Sequence, residues 1–436
     1  MTIEKILDKA KSCTDSAEVF EQKNKKLTVS FENNKIKDSS TSDLSGVAVR
    51  VIKNGKIGFS SSSKPGDESV ADFAVELAEY GKKVTFDFSD NLTSKAFDVD
   101  LGSFDSLDEN TCVLECEKAM NEIRSLHKDL LAMSQIVREF TESHVLTSKG
   151  LDLVQRLIRI TWHCGFNYNT EGNFLTCYDF RIGNKFNGFG DLISKVKEDY
   201  AVCKNNEAIP GGKYRVLFSP RAFTHLMMVF GYCLSGFGVA KKISPWSGKI
   251  GEKLFDKRIT ILTDLVSKDS VYRKAIDDEG TPTGKLTLID KGVLKSFYHT
   301  RDTASQCGHS PTGHACRMRY SAMPMPSIDG MVLAPGKDDT QDMKSQSDIW
   351  VDDLMGAMMS NPYSGIISGN ISMGYIMENG KRRARIKDAV LSINVFDAFK
   401  NNIIAISKET ARYGFPGIFN LYDAPWLLLD NISVSA

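Results

Sequence analysis

Two cysteines and two histidines fall within ten residues of one another, as Cys307-Gly308-His309 and His314-Ala315-Cys316. These are the ligand types zinc prefers. No Cys-x-x-Cys knuckle accompanies them, and each pair is separated by a single residue, so one flexible loop would have to wrap the metal. The plainer expectation is a Gly-containing loop in which these side chains happen to fall. Zinc-peptidase helices instead carry two His on one face, with Glu beside the first to activate the bound water. The seven histidines are followed by Lys128, Val145, Cys164, Leu226, Thr300, Ser310 and Ala315, never by Glu. His225 has Val229 and Phe230 one turn later and reads as a packed helix histidine. The run Asp277-Asp278-Glu279-Gly280 has the composition of a metal or acid–base pair, but just before a β-type run it reads as a solvated turn. Gly231 to Gly238 ends a helix and lacks a Walker lysine. No Gly-x-Ser-x-Gly elbow is present, and no cysteine sits in a protease context.

The elements that must position these residues read as α+β and multidomain. The chain has 436 residues, 42% hydrophobic and 25% charged, which suits a soluble protein of two or three domains. Lys+Arg and Asp+Glu both number 55, so the basic excess expected of a direct nucleic-acid binder is missing. Lys381-Arg382-Arg383-Ala384-Arg385 reads as a solvated strand end. Met1 to Lys11 has the spacing of an amphipathic surface helix without a signal-peptide core, and Leu226 to Leu234 is far too short to span a membrane. Nine scattered cysteines suggest reduced thiols and a cytoplasmic location.

Residues 1–104 read as an α/β sandwich-like domain. Strands Val29–Phe31, Gly46–Ile52 and Lys56–Ser61, a hairpin turn at Asn54-Gly55, and a helix carrying Val70, Phe73, Ala74, Leu77 and Ala78 compose it. Residues 105–212 open with a helical stripe of Cys112, Cys116, Ala119, Met120 and Ile123. An antiparallel meander follows, turning at Ser148-Lys149-Gly150 and Thr170-Glu171-Gly172, and a helix near Asp191–Cys203 ends it. Residues 213–436 begin with a strand, Arg215–Phe218. Ser219 and Pro220 then supply N-cap and first-turn chemistry for an apolar, buried helix through Leu234. Short strands after it suggest a mostly-β curled sheet or barrel-like domain.

Four stretches taken in order resemble the PmbA/TldD family. They are Ala17-Glu18-Val19 through Gly46-Val47-Ala48-Val49-Arg50 to Gly55-Lys56-Ile57-Gly58-Phe59-Ser60; Asp278-Glu279-Gly280-Thr281-Pro282-Thr283 with Ile289 to Leu294; Thr312-Gly313-His314-Ala315-Cys316-Arg317; and Ser368-Gly369-Asn370 with Gly374 and Glu378-Asn379-Gly380. The resemblance implies a cytosolic two-component peptidase acting on unstructured peptides or peptide precursors. In it a TldD-type subunit holds zinc through His-Glu-x-x-x-His on a buried helix, and a TldE/PmbA-type subunit lacks that motif. Laid on this chain, the motif's His-Glu falls on Met227-Met228 and its second His on Tyr232, while the Gly before that His is kept as Gly231. A thioether is a poor ligand for zinc, and Met228 cannot act as a base. The TldD type also supplies a late cysteine, whereas nothing after Cys316 is Cys and Gly414 to Pro425 fills the corresponding region.

The resemblance therefore implies a TldE/PmbA-like chain with no metal or cofactor of its own. Its partner would be a zinc-bearing TldD-like subunit, with a homodimer as the form in isolation, an extended peptide as substrate, and no membrane or direct nucleic-acid binding. Two other readings stay open: a stand-alone metal-dependent hydrolase using Cys307, His309, His314 and Cys316, and a regulatory binding protein of the kind the family's name "modulator of DNA gyrase" suggests.

Overall fold

A computed structural model of the chain describes residues 3–90, 93–170, 173–414 and 421–436. The first segment opens with α1 (Ile3–Lys11), which buries Ile3, Ile6, Leu7 and Ala10 on one face. Two long strands follow, β1 (Ser16–Glu32) and β2 (Lys35–Lys53), and then the shorter β3 (Lys56–Ser62). Asn54 and Gly55 both have positive φ (51° and 68°), the geometry of the tight hairpin turn their sequence predicts. Next come α2 (Ser69–Leu77), the short α3 (Leu101–Asp105) and α4 (Glu109–Arg124), the last capped by the Asp108 carboxylate accepting from the Thr111 amide. The meander is β4 (Leu131–Thr147), β5 (Asp152–Thr170) and β6 (Asn173–Gly183), and α5 (Gly190–Cys203) closes it. Of the expected turn Thr170-Glu171-Gly172, residues 171 and 172 lie outside the described residues.

The six strands form one antiparallel sheet in the order β3-β2-β1-β4-β5-β6. β1 pairs with β4 from Glu18↔Thr147 to Phe31↔Ser134. The boundary drawn at 104/105 therefore falls inside a single sheet rather than between two. On the other flank, β3 pairs with β2 only from Val47 to Lys53, which leaves the outer edge of Lys35–Leu44 open.

The C-terminal segment supplies a second sheet, joined by β7 (Asn206–Ala208) from the segment before it. Its strands and helices run β8 (Gly212–Phe218), α6 (Pro220–Cys233), α7 (Gly236–Ala240), β9 (Ile261–Asp264), β10 (Lys285–Asp290), β11 (Val293–Leu294), α8 (Arg301–Cys307), β12 (Ala315–Cys316), β13 (Met325–Pro326), β14 (Met331–Leu333), α9 (Thr340–Gln346), β15 (Ile349–Met355), β16 (Ile366–Glu378), β17 (Lys381–Lys387), β18 (Val390–Asn394), α10 (Val395–Asn401), β19 (Ile403–Gly414) and β20 (Leu421–Ser435). β18 pairs with both β16 and β20, and so closes β20-β8-β15-β16-β18 into a barrel-like ring. The fold is α+β. None of its helices, among the described residues, is long and apolar enough to cross a membrane.

Ser219 Oγ accepts from the Ala222 amide, and Pro220 occupies the first turn, where its missing N–H costs nothing. The α6 helix that follows packs on β15, β19 and β20. Its Phe230 ring lies 4.9 Å from Phe399 and 5.3 Å from Phe255. A second core joins the two sheets: Trp162, Phe166 and Tyr200 from the first half pack in one cluster with Trp350, Tyr375 and Leu428 from the second. The basic run on β17 is not a solvated strand end throughout. Arg382 lies over the Trp350 and Tyr375 rings, 4.9 and 4.7 Å from their centroids, and Arg385 is buried, while Lys381 and Arg383 face solvent.

Candidate functional site

On α6, Arg221, His225, Met228 and Tyr232 follow steps of four, three and four residues, and so trace one stripe. This stripe is the face that core packing leaves least covered: the first three are each 6% exposed and Tyr232 is 48%, whereas Met227 is at 0%. Met227 belongs to the hydrophobic core. Tyr232 departs from the apolar packing expected of it, because it stands at the last turn, where the helix emerges, with its ring 6.0 Å from that of Tyr363. These residues do not fit zinc. They offer two thioethers, both in the hydrophobic core cluster, and a phenol.

One turn earlier the stripe is ionic. Arg221 Nη2 donates to Asp353 Oδ2 at 2.7 Å, and His225 Nε2 lies 3.1 Å from Asp353 Oδ1. Burial opposes the Asp353 charge, but Arg221 and the His225 bond outweigh it and hold the carboxyl well below its usual range. The adjacent Asp352 is fixed by Lys195 Nζ at 2.9 Å, which also reaches Asp199 at 2.9 Å, and Asp199 pairs with Arg382. α5, β15 and β17 are thus tied by paired charges.

The family-motif residues meet elsewhere, at a second buried ionic node. Arg50 grips Glu18 through two bonds of 2.8 and 2.6 Å, and its third donor reaches Glu279 Oε1 at 2.7 Å. Arg317 also donates to Glu18, while its amide donates to Asp278 Oδ2 at 2.7 Å. Asp277 accepts from the amides of Glu279, Thr281 and Ala315, each at 2.9 Å. Asp277, Asp278 and Glu279 are all buried, so the expectation of a solvated turn fails: the cations that neutralise the run come from β2 and from the loop after β12. Gly280 sits in this turn at φ 75°, and a Cβ there would stand 2.1 Å from Leu151 Cδ2. Gly313 occupies the adjoining loop, and Gly369 and Gly374 lie on β16. The node pins the first sheet to the C-terminal unit. Glu18 and Arg50 stood inside the recognised motifs, but local sequence gave no sign that they pair; Arg221 and Asp353 carried no signal at all.

Cys307, His309, His314 and Cys316 do not converge. His314 Nδ1 lies 2.7 Å from the Thr312 carbonyl, to which it must donate, leaving Nε2 to accept from Thr263 Oγ1 at 2.8 Å. Both ring nitrogens are used, and burial pushes the imidazole down to about 4. His309 Nδ1 instead lies 2.9 Å from His299 Nε2. Burial, with Asp278 and Asp329 nearby, pushes the Cys316 thiol well up, away from the thiolate a metal needs. Among the described residues no three His, Cys, Asp or Glu side chains are grouped so as to hold a metal ion.

A two-sheet α+β frame whose buried ionic loops lock the sheets together defines the class, and sequence comparison specifies it. Residues 211–436 match the family model described as the PmbA/TldA metallopeptidase C-terminal domain, and residues 17–79 match domain 1 of the same family. The chain belongs to the PmbA/TldD metallopeptidase family. It is 26% identical to an uncharacterised protein of Methanocaldococcus jannaschii, over 92% of this chain and 94% of the relative. It is 22% identical to a metalloprotease of the same organism, over 94% and 93%. The fold is similar to that of TldE from Thermococcus kodakarensis, with a TM-score of 0.89 at 21% identity over the full length of both chains.

Proposed function

We propose that this chain is a companion subunit of a cytosolic metallopeptidase, pairing with a relative that carries zinc on its own copy of α6. The observation that carries this reading is the chemistry of Met227, Met228 and Tyr232 at the positions of the family's metal motif. Two core thioethers and a phenol cannot assemble a hydrolytic zinc site. In this role the chain would enclose the reaction space and hold an extended peptide beside the partner's metal. The uncharged stretch Met355–Ile366, with Met355, Met359 and Ile366 exposed, supports that use, since adaptable methionine surfaces suit varied apolar side chains.

The test is metal analysis and cleavage of an unfolded peptide by the purified chain, alone and with a His-Glu-x-x-x-His relative. Zinc at background and cleavage only in the mixture are expected. One tightly held zinc with cleavage by the chain alone overturns the proposal.

A further inference from the structure

On one face of the first sheet, Val29 and Ile136 are buried against α4, in one cluster with Cys116 and Ala119. The next two cross-strand rows on that face are Thr41–Leu27–Arg138 and Asp43–Lys25–Phe140. They floor a groove of about 540 Å³, with Leu101 and Phe104 of α3 as its wall. That volume suits a ligand of one or two residues. The Phe104 and Phe140 rings lie 6.4 Å apart, and Leu101, 37% exposed, presents apolar surface beside them.

Arg138 gives the groove a second character. Its Nη1 donates to the Phe104 carbonyl at 2.9 Å, and its guanidinium lies over the Phe104 ring, 4.8 Å from the centroid. The group is therefore fixed in place. Among the described residues nothing accepts a hydrogen bond from its Nε or Nη2. Those two parallel donors are the fork that grips a carboxylate through two bonds. Asp105 does not occupy it: that carboxylate lies 4.0 Å from Nη1 and is 76% exposed. Lys25 adds a second cation, paired at 4.0 Å with an equally exposed Asp43. Ion pairs this long and this wet are worth little, so neither cation is committed.

We propose that this groove takes the C-terminal residue of a peptide, with its carboxylate on the Arg138 fork and an apolar last side chain against Leu101 and Phe140. In a polypeptide of ordinary residues only the last one carries a carboxylate and an apolar side chain on the same carbon. The groove sets the two matching surfaces side by side. A guanidinium already held by a carbonyl and a ring loses little freedom on binding. The assignment does not depend on the companion role, which concerns α6.

The test is fluorescence anisotropy on the full-length chain, with a fluorescein-labelled, unstructured hexapeptide ending in Phe. The free acid is expected to bind about tenfold more tightly than the same peptide as its C-terminal amide, or with Ala in last place. Arg138→Gln should abolish the preference for acid over amide while leaving amide binding unchanged, which a merely structural role would not do. Leu101→Asp, on the exposed wall, should weaken the free acid about tenfold with Arg138 and its packing intact. Equal binding of acid and amide overturns the proposal, as does no binding of either. So does an Arg138→Gln chain that keeps the preference. Displacement of the probe by dodecanoate at lower concentration than by unlabelled peptide also overturns it, in favour of a fatty-acid site. The chain is used alone and no cleavage is read, so any of these failures leaves the companion role standing.

Discussion

At the scale of single residues, the ionic node around Arg50 decides more than its surface-like sequence implies. A buried pair broken on one side leaves the other charge without solvent or partner, at a cost of about 3–5 kcal/mol. Arg50→Ala is therefore expected to lower unfolding free energy by about that amount in urea titrations. Glu18 adds a pH signature. Burial opposes its charge, but Arg50 and Arg317 hold its pKa below the ordinary 4.5. The stability it contributes is complete above that value and is lost as pH falls through the lower folded one. Glu18→Gln should flatten the acid limb of stability against pH while lowering the neutral plateau. Asp277 has the opposite sign, since burial and Glu279 raise its pKa, so its contribution is greatest in acid and declines as pH rises. The Asp277-Asp278-Glu279 run misled the sequence reading for a plain reason. Consecutive carboxylates look solvated unless their partners are known, and Arg50 lies 229 residues from Glu279.

At the scale of elements, legibility followed locality. α6 was readable because Ser219, Pro220 and the apolar run state a helix start and a buried body within a few residues. Ser219→Ala should cost about 1 kcal/mol, read as a small fall in melting temperature with the fold retained. The β2–β3 hairpin was equally clear from Asn54-Gly55. The outer half of β2 was not: Lys35–Leu44 has neither alternation nor an apolar face, because its strand conformation comes from pairing with β1 rather than from burial. The turn at Gly280 combines both kinds of information. Its motif marks a special backbone, but the contact with Leu151 comes from a distant strand connection. Gly280→Ala must adopt positive φ and displace Leu151, so a loss of about 2–5 kcal/mol is expected in thermal or chemical unfolding.

At the scale of the whole molecule, a division into three segments is readable from composition and punctuation, but how the segments share sheets is not. β1 pairs with β4 across more than a hundred residues of sequence, and β7 leaves the middle segment to extend the C-terminal sheet. Such pairings depend on register between remote strands, which local propensity does not record. The joint has a consequence for any attempt to divide the protein. A fragment of residues 213–436 would expose Trp350, Met373, Tyr375 and Leu428, now covered by the α5 side of the first sheet, and would leave Asp352 buried without Lys195. It would also lose Glu18 and Arg50, stranding Glu279 and Arg317 at the other end of the same interface. Apolar exposure on that scale favours association, and each orphaned charge adds a further penalty. The fragment should therefore aggregate on expression, and the intact chain should unfold with coincident transitions followed by Trp162 and by Trp426 fluorescence, each in a single-tryptophan variant. A soluble, cooperatively folded fragment would show that the C-terminal unit is complete without the sheet that now covers it.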